Sequence, residues 1–154
     1  MAHIHEKIDF TVEVFIVYKN RVLLRIHDKY KKWLSVGGHI ELNEDPNEAA
    51  IREVKEEVGL DIELDDSLEI FKQKSETTEL IPPYFINRNR ISDTHEHVTL
   101  TYFATSNTDI ISETDDDEKS GGCKWFTKKQ LIESQELMPN IKFYALKALE
   151  KLSK

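Results

Sequence analysis

Cysteine is almost missing from this chain: Cys123 stands alone among 154 residues, which excludes an internal disulfide and fits a reducing cytosol. Its expected role is that of a small packing residue. With only 5 glycines and 4 prolines, the composition excludes collagen-like and low-complexity architectures. Basic residues are outnumbered 21 to 29, and the net charge of -8 repels polyanions, so nonspecific nucleic-acid binding by a basic surface is excluded. A phosphate-bearing substrate would need a cation to approach. No apolar run comes near the roughly 20 residues of a membrane span. The first ten residues mix His, Glu, Lys and Asp and hold no signal-peptide core. The expectation is a soluble, cytoplasmic protein of one domain over residues 1–154.

What is present begins with strands. Residues 10–18 are rich in Val, Ile and Phe, and 21–26 form a second apolar run, so Lys19-Asn20 reads as the turn of a hairpin. A short apolar piece at 33–36 stops at Gly37-Gly38, where a tight turn or a close approach of backbone to a ligand is expected. Residues 62–74 read as strand-like although acids interrupt them. Residues 75–92 read as a long connection holding Pro82-Pro83. From 95 to 104 the pattern alternates, with Val98, Leu100 and Tyr102 on one face and His95, His97, Thr99 and Thr101 on the other. Residues 124–126 form a last short strand, Thr127 with Gln130 opens a helix by a capping box, and 141–152 make an amphipathic helix.

Between the strands the period changes to that of a helix, with Ala50, Ile51, Val54 and Val58 as its buried stripe over 46–58. Asp45 is the N-cap, Pro46 suits the first position, and Glu48 completes a capping box. Gly59 ends the helix and Leu60 supplies the apolar contact of the cap. Glu53, Glu56 and Glu57 project from one side, about 120° around from that stripe. Such like charges cost helix stability by a few tenths of a kcal/mol per pair, only partly relieved by Arg52 and Lys55. A hard dication such as Mg²⁺, which takes oxygen ligands, would turn the repulsion into attraction.

Residues 38–60 match the pattern G-x5-E-x7-R-E-U-x-E-E-x-G-U, U being aliphatic, at Gly38, Glu44, Arg52, Glu53, Val54, Glu56, Glu57, Gly59 and Leu60. A chance match in a chain this long is on the order of one in ten million. The segment therefore resembles a complete Nudix box, and the order of elements resembles that family's α/β/α sandwich, an α/β fold with a mixed sheet between helices. Val36 departs from the Pro that many relatives carry before the paired glycines, which should alter the loop slightly and not the chemistry. The resemblance implies that Glu56 and Glu57 bind the metal, that Glu53 is a further ligand or the base that activates water, and that Gly38 offers its carbonyl to the same ion. It implies that Arg52 holds the box carboxylates in position while Glu44 adds charge or an outer contact. It also implies one more carboxylate from a loop outside the box, for which Glu118 is the candidate and Asp117 the next.

The implied cofactor is Mg²⁺, with Mn²⁺ as a substitute, and the implied reaction is hydrolysis of a diphosphate linkage in a nucleotide-like small molecule. Tyr84, Phe85, Arg88 and Arg90 offer rings and guanidinium groups suited to a base and to phosphate, against the simpler reading of a packed loop. His95 and His97 share a strand face, but two nitrogens alone do not make a metal site and Mg²⁺ prefers oxygen. Trp33 and Trp125 read as core. A nucleotide sensor that binds without cutting is the alternative, and this chain keeps the carboxylates such domains lose. RNA decapping would want a basic surface that this chain lacks. No membrane and no nucleic acid are expected as partners, and a homodimer is left open. Glu56→Gln or Glu57→Gln is expected to remove most turnover and leave the fold intact.

Overall fold

The structure, a computed structural model, describes residues 6–27, 30–112 and 120–154. Its strands are β1 (Ile8–Tyr18), β2 (Arg21–His27), β3 (Lys32–Leu34), β4 (Val36–His39), β5 (Ile62–Leu64), β6 (Phe85–Arg90), β7 (Glu96–Ser106) and β8 (Ser120–Thr127). Its helices are α1 (Pro46–Val58), α2 (Lys128–Glu133) and α3 (Pro139–Leu152). The expected hairpin joins β1 to β2 through Lys19 and Asn20, both left-handed at φ 45° and 61°. That twist suits a two-residue hairpin, and asparagine tolerates it better than lysine does.

The strands form one mixed sheet with the path β3-β2-β1-β7-β5, on which β4 also pairs with β1, β6 with β7 and β8 with β2. At its centre β1 and β7 run parallel, in register from Ile8 beside Glu96 to Val17 beside Thr105. Alternation then sorts the side chains. Val12, Val14, Ile16, Leu23 and Tyr102 pack under Ala49, Ala50, Val54 and Val58 of α1. Phe15, Val17, Val22, Leu24 and Phe103 pack under Leu131 of α2 and Ile141, Ala145 and Leu149 of α3. Helices therefore cover both faces of a mixed sheet, the α/β/α arrangement expected from the sequence.

Several local readings are corrected. Gly37 and Gly38 lie inside β4, not in a turn. A Cβ on Gly37 would stand 2.0 Å from the Val12 carbonyl oxygen, so this glycine is there for the close approach of two backbones. The strand expected over 62–74 shrinks to three residues, because Asp65, Asp66 and Glu69 break the apolar alternation. Within the expected connection 75–92, β6 pairs with β7 from Phe85 beside Thr101 to Arg90 beside Glu96. Its sequence, FINRNR, is too polar to betray a strand. On α1, Ile51 is 47 % exposed, and the buried face instead holds Glu53 and Glu57 among the alanines and valines. At 100° per residue, Glu57 falls between Ala50 and Glu53, in the middle of that face.

Candidate active site

The caps fix where α1 begins and ends. Asp45 accepts from the Glu48 amide and the Glu48 side chain returns to the Asp45 amide, a capping box worth about 1 kcal/mol. Gly59 ends the helix at φ 73°, and its amide donates to Lys55. The β4 strand runs beneath the helix, so Gly38 meets Glu53 directly: a Cβ on Gly38 would lie 2.5 Å from the Glu53 carboxyl carbon. A side chain at 38 would have to displace that carboxylate.

Arg52 gathers the box. Its Nε and one terminal nitrogen donate to the two oxygens of Glu44 at 2.9 and 2.7 Å, a bidentate pair, and the same terminal nitrogen reaches the His39 carbonyl at 3.0 Å. Its other terminal nitrogen donates to Glu53 at 3.0 Å and Glu56 at 3.1 Å. These carboxylates push the Arg52 pKa further up, chiefly through the Glu44 hydrogen bonds, and the Arg52 hydrogen bond holds the Glu44 carboxyl below the usual range. The guanidinium thus stays charged and keeps three neighbouring acids from repelling one another. Glu53 and Glu57 are each only 5 % exposed, whereas the Glu56 side chain is 55 % exposed.

The buried acid Glu57 has a partner the sequence did not announce, Arg25 of β2, whose guanidinium binds it directly. The available signal was an arginine in the apolar run Val22-Leu23-Leu24-Arg25-Ile26, at a position that alternation points inward toward α1. Glu13 was also missed. It lies on the opposite face of the sheet, where Thr101 donates to it at 2.6 Å and Ser35 at 2.8 Å. Burial pushes its pKa up, and the two hydroxyls only partly offset that.

The structure thus brings together Gly38, Glu44, Arg52, Glu53 and Glu56, with Glu57 one turn along. Glu118 and Asp117 lie outside the described residues. Tyr84 stacks on Phe103 at 4.4 Å and its hydroxyl binds Asp65 and Ser67, while Phe85 packs on Phe103, Phe143 and Tyr144. Both rings belong to the apolar layer under α3, on the far side of the sheet from α1. Burial and Asp65 push the Tyr84 pKa up. Arg88 pairs with Glu96 at 2.7 Å and Arg90 with Asp93 at 2.7 Å, both exposed. Since Arg88 opposes Val98, it projects from the face that carries α1. It stands three strands from Gly38, roughly 15 Å at the usual strand spacing.

The NUDIX domain family matches residues 9–149 of the chain. Among solved structures, a hydrolase of the NUDIX family from Clostridium perfringens is 40% identical, with a TM-score of 0.87 over 94% of this chain and 98% of that one. The fold is shared with a MutT NUDIX hydrolase from Burkholderia pseudomallei (20% identity, TM-score 0.65, 96% of this chain and 100% of that one). It is shared also with a MutT protein from Methanosarcina mazei Go1 (16% identity, TM-score 0.66, 98% and 99%).

Proposed function

The chain belongs to the NUDIX family of hydrolases, and from that premise we propose that it cuts the diphosphate linkage of a nucleoside-diphosphate-type substrate by attack of water on phosphorus at a glutamate-held Mg²⁺, or Mn²⁺, site. One observation carries the reading: the bare Cα of Gly38 rests on the buried Glu53 carboxylate while Arg52 draws Glu44, Glu53 and Glu56 around it. The donors fit a hard dication, being carboxylate and carbonyl oxygens. A carboxylate has two oxygens and about four lone-pair sites, so a guanidinium bond on one is compatible with a cation on the other.

Glu56 and Glu57 would hold the cation with the Gly38 carbonyl, and Glu53 would add a ligand or take the proton of the attacking water. When bound, the cation screens the phosphates, activates water and stabilises charge on the leaving oxygen. Arg52 is a positioning residue: it fixes the rotamers of Glu53 and Glu56 and is itself anchored by Glu44 and the His39 carbonyl. Arg25 does the same for Glu57. Arg88 and Arg90 supply the substrate contacts of this reading. Both arginines are exposed, so exchanging a carboxylate partner for a substrate phosphate costs little. Tyr84 and Phe85 serve by supporting the strand that carries them.

The test is purified protein with Mg²⁺ and a panel of nucleoside triphosphates, nucleotide sugars and dinucleoside polyphosphates. Release of a nucleoside monophosphate or of phosphate from at least one compound is expected. Tight binding with no cleavage of any compound would favour the sensing role instead.

A further inference from the structure

We propose that Asp9, His39, His95 and His97 form a second cation site, selective for a transition metal of the zinc class and distinct from the oxygen-donor set on α1. Three strands, with the residue that leads into β7, supply it. The parallel register of β1 and β7 sets Asp9 beside His97, and the antiparallel register of β1 and β4 sets Thr11 beside His39. Residues two apart on a strand share a face, so all four side chains project from the side of the sheet opposite α1.

They also converge. One ligand atom from each of Asp9, His95 and His97 lies within 4.8 Å of the others. Asp9 Oδ2 stands 3.1 Å from His95 Nε2 and 3.4 Å from His39 Nε2. The His97 ring meets His39 edge-on at 4.9 Å between centroids and His95 at 5.3 Å. Ligands about 2.0–2.1 Å from a tetrahedral zinc are roughly 3.3 Å apart, the separation Asp9 already has from two of the imidazoles.

The chemistry of the set is what separates it from the first site. Three imidazoles and one carboxylate favour zinc and its neighbours in the first transition row over Mg²⁺ or Ca²⁺. Asp9 is 1% exposed, and the Nε2 atoms of the three histidines are shut off from solvent. A carboxylate so buried, with nitrogen donors on several sides, is a costly arrangement that a dication repays. The placement has a consequence for the box as well. His39 follows Gly38 directly, and its carbonyl accepts from Arg52 at 3.0 Å. A cation on the His39 ring would fasten both the glycine under Glu53 and the anchor of Arg52.

The test uses the whole chain in a background with His3→Ala and His5→Ala, which removes the two imidazoles of the N-terminus, stripped of metal by chelation. Titration with ZnCl₂ against a chromophoric chelator is expected to show one tight equivalent, and CoCl₂ in its place is expected to give the intense visible bands of a four-coordinate ion. His95→Ala and His97→Ala should each weaken zinc by about 100-fold or more, whereas Glu56→Gln should leave it unchanged. Absence of a tight equivalent in the parent protein overturns the proposal, whatever the variants do. So does zinc binding that survives His97→Ala but is lost in Glu56→Gln, which would put the ion on α1. If a histidine variant fails to fold, the stoichiometry and cobalt spectrum of the parent decide the matter.

Discussion

On the face of the sheet covered by α1, Glu53 and Glu57 are buried against two guanidinium groups, while on the opposite face the half-buried Glu13 sits against two hydroxyls. The electrostatics differ in sign of effect. An arginine favours the charged carboxylate, so Glu44 is held below the usual range by Arg52. Hydroxyls cannot make up for lost hydration, so Glu13 is pushed up. The comparison shows what Arg52 does for the box: it holds Glu44 in the charged form and stands between Glu53 and Glu56.

The largest break in that comparison should come from Arg25→Met, which leaves Glu57 buried without its counter-charge. A loss of about 3–5 kcal/mol in urea unfolding is expected. A loss below about 1 kcal/mol would mean the pair is solvated. Next in size, Glu57→Gln and Glu56→Gln should part company. The first takes the carboxylate charge out of the buried pair with Arg25 and should cost about 3 kcal/mol, whereas the second removes an exposed pair and should change stability by about 0.5 kcal/mol or less. The sequence alone treats these two glutamates as equivalent, and the burial of Glu57 corrects that.

A pH series sharpens the comparison further. Glu44, with its pKa lowered by Arg52, contributes stability that is present above the ordinary value of 4.5 and is lost as pH falls through its folded pKa. Glu13, raised by burial, does the reverse: its contribution is present below 4.5 and is lost as pH rises through its folded pKa. Between about pH 4.5 and neutrality, Glu13→Gln should therefore gain on the parent protein with rising pH. Glu44→Gln should fall behind it as pH rises from strongly acid to about 4.5. Melting temperatures of the three proteins across that range give the signs, and equal slopes would dissolve the distinction. The smallest effect belongs to Arg88→Ala, whose exposed pair with Glu96 adds nothing measurable to stability. KM should rise a few-fold with kcat unchanged, and an unchanged KM would remove Arg88 from the substrate contacts.

Much of this was legible because local rules act alone. The capping box at Asp45 and Glu48, the glycine end of α1 at Gly59 and the alternation of β7 each depend on a few adjacent residues, and each stands as expected. The box spacing likewise marked Gly38, Glu44, Arg52 and the three glutamates as neighbours. What escaped depends on contacts far apart in sequence. Arg25 reaches Glu57 across 32 positions, and Thr101 reaches Glu13 across 88. The polar strand β6 pairs with β7 and, among the described residues, with no second strand, so its pairing and not its composition makes it a strand. The same long-range pairing joins Asp9 and His39 to the two histidines that in sequence were only a pair.

The central claim is that the glutamates of α1 serve a cation and a diphosphate. Its most direct measurement is Mg²⁺-dependent nucleotide hydrolysis by Glu56→Gln, the one member of the set whose exposed side chain can be neutralised without unfolding the protein. A fall in kcat of about 100-fold or more with the melting temperature unchanged is the predicted result. Turnover equal to that of the parent protein at every Mg²⁺ concentration would contradict it.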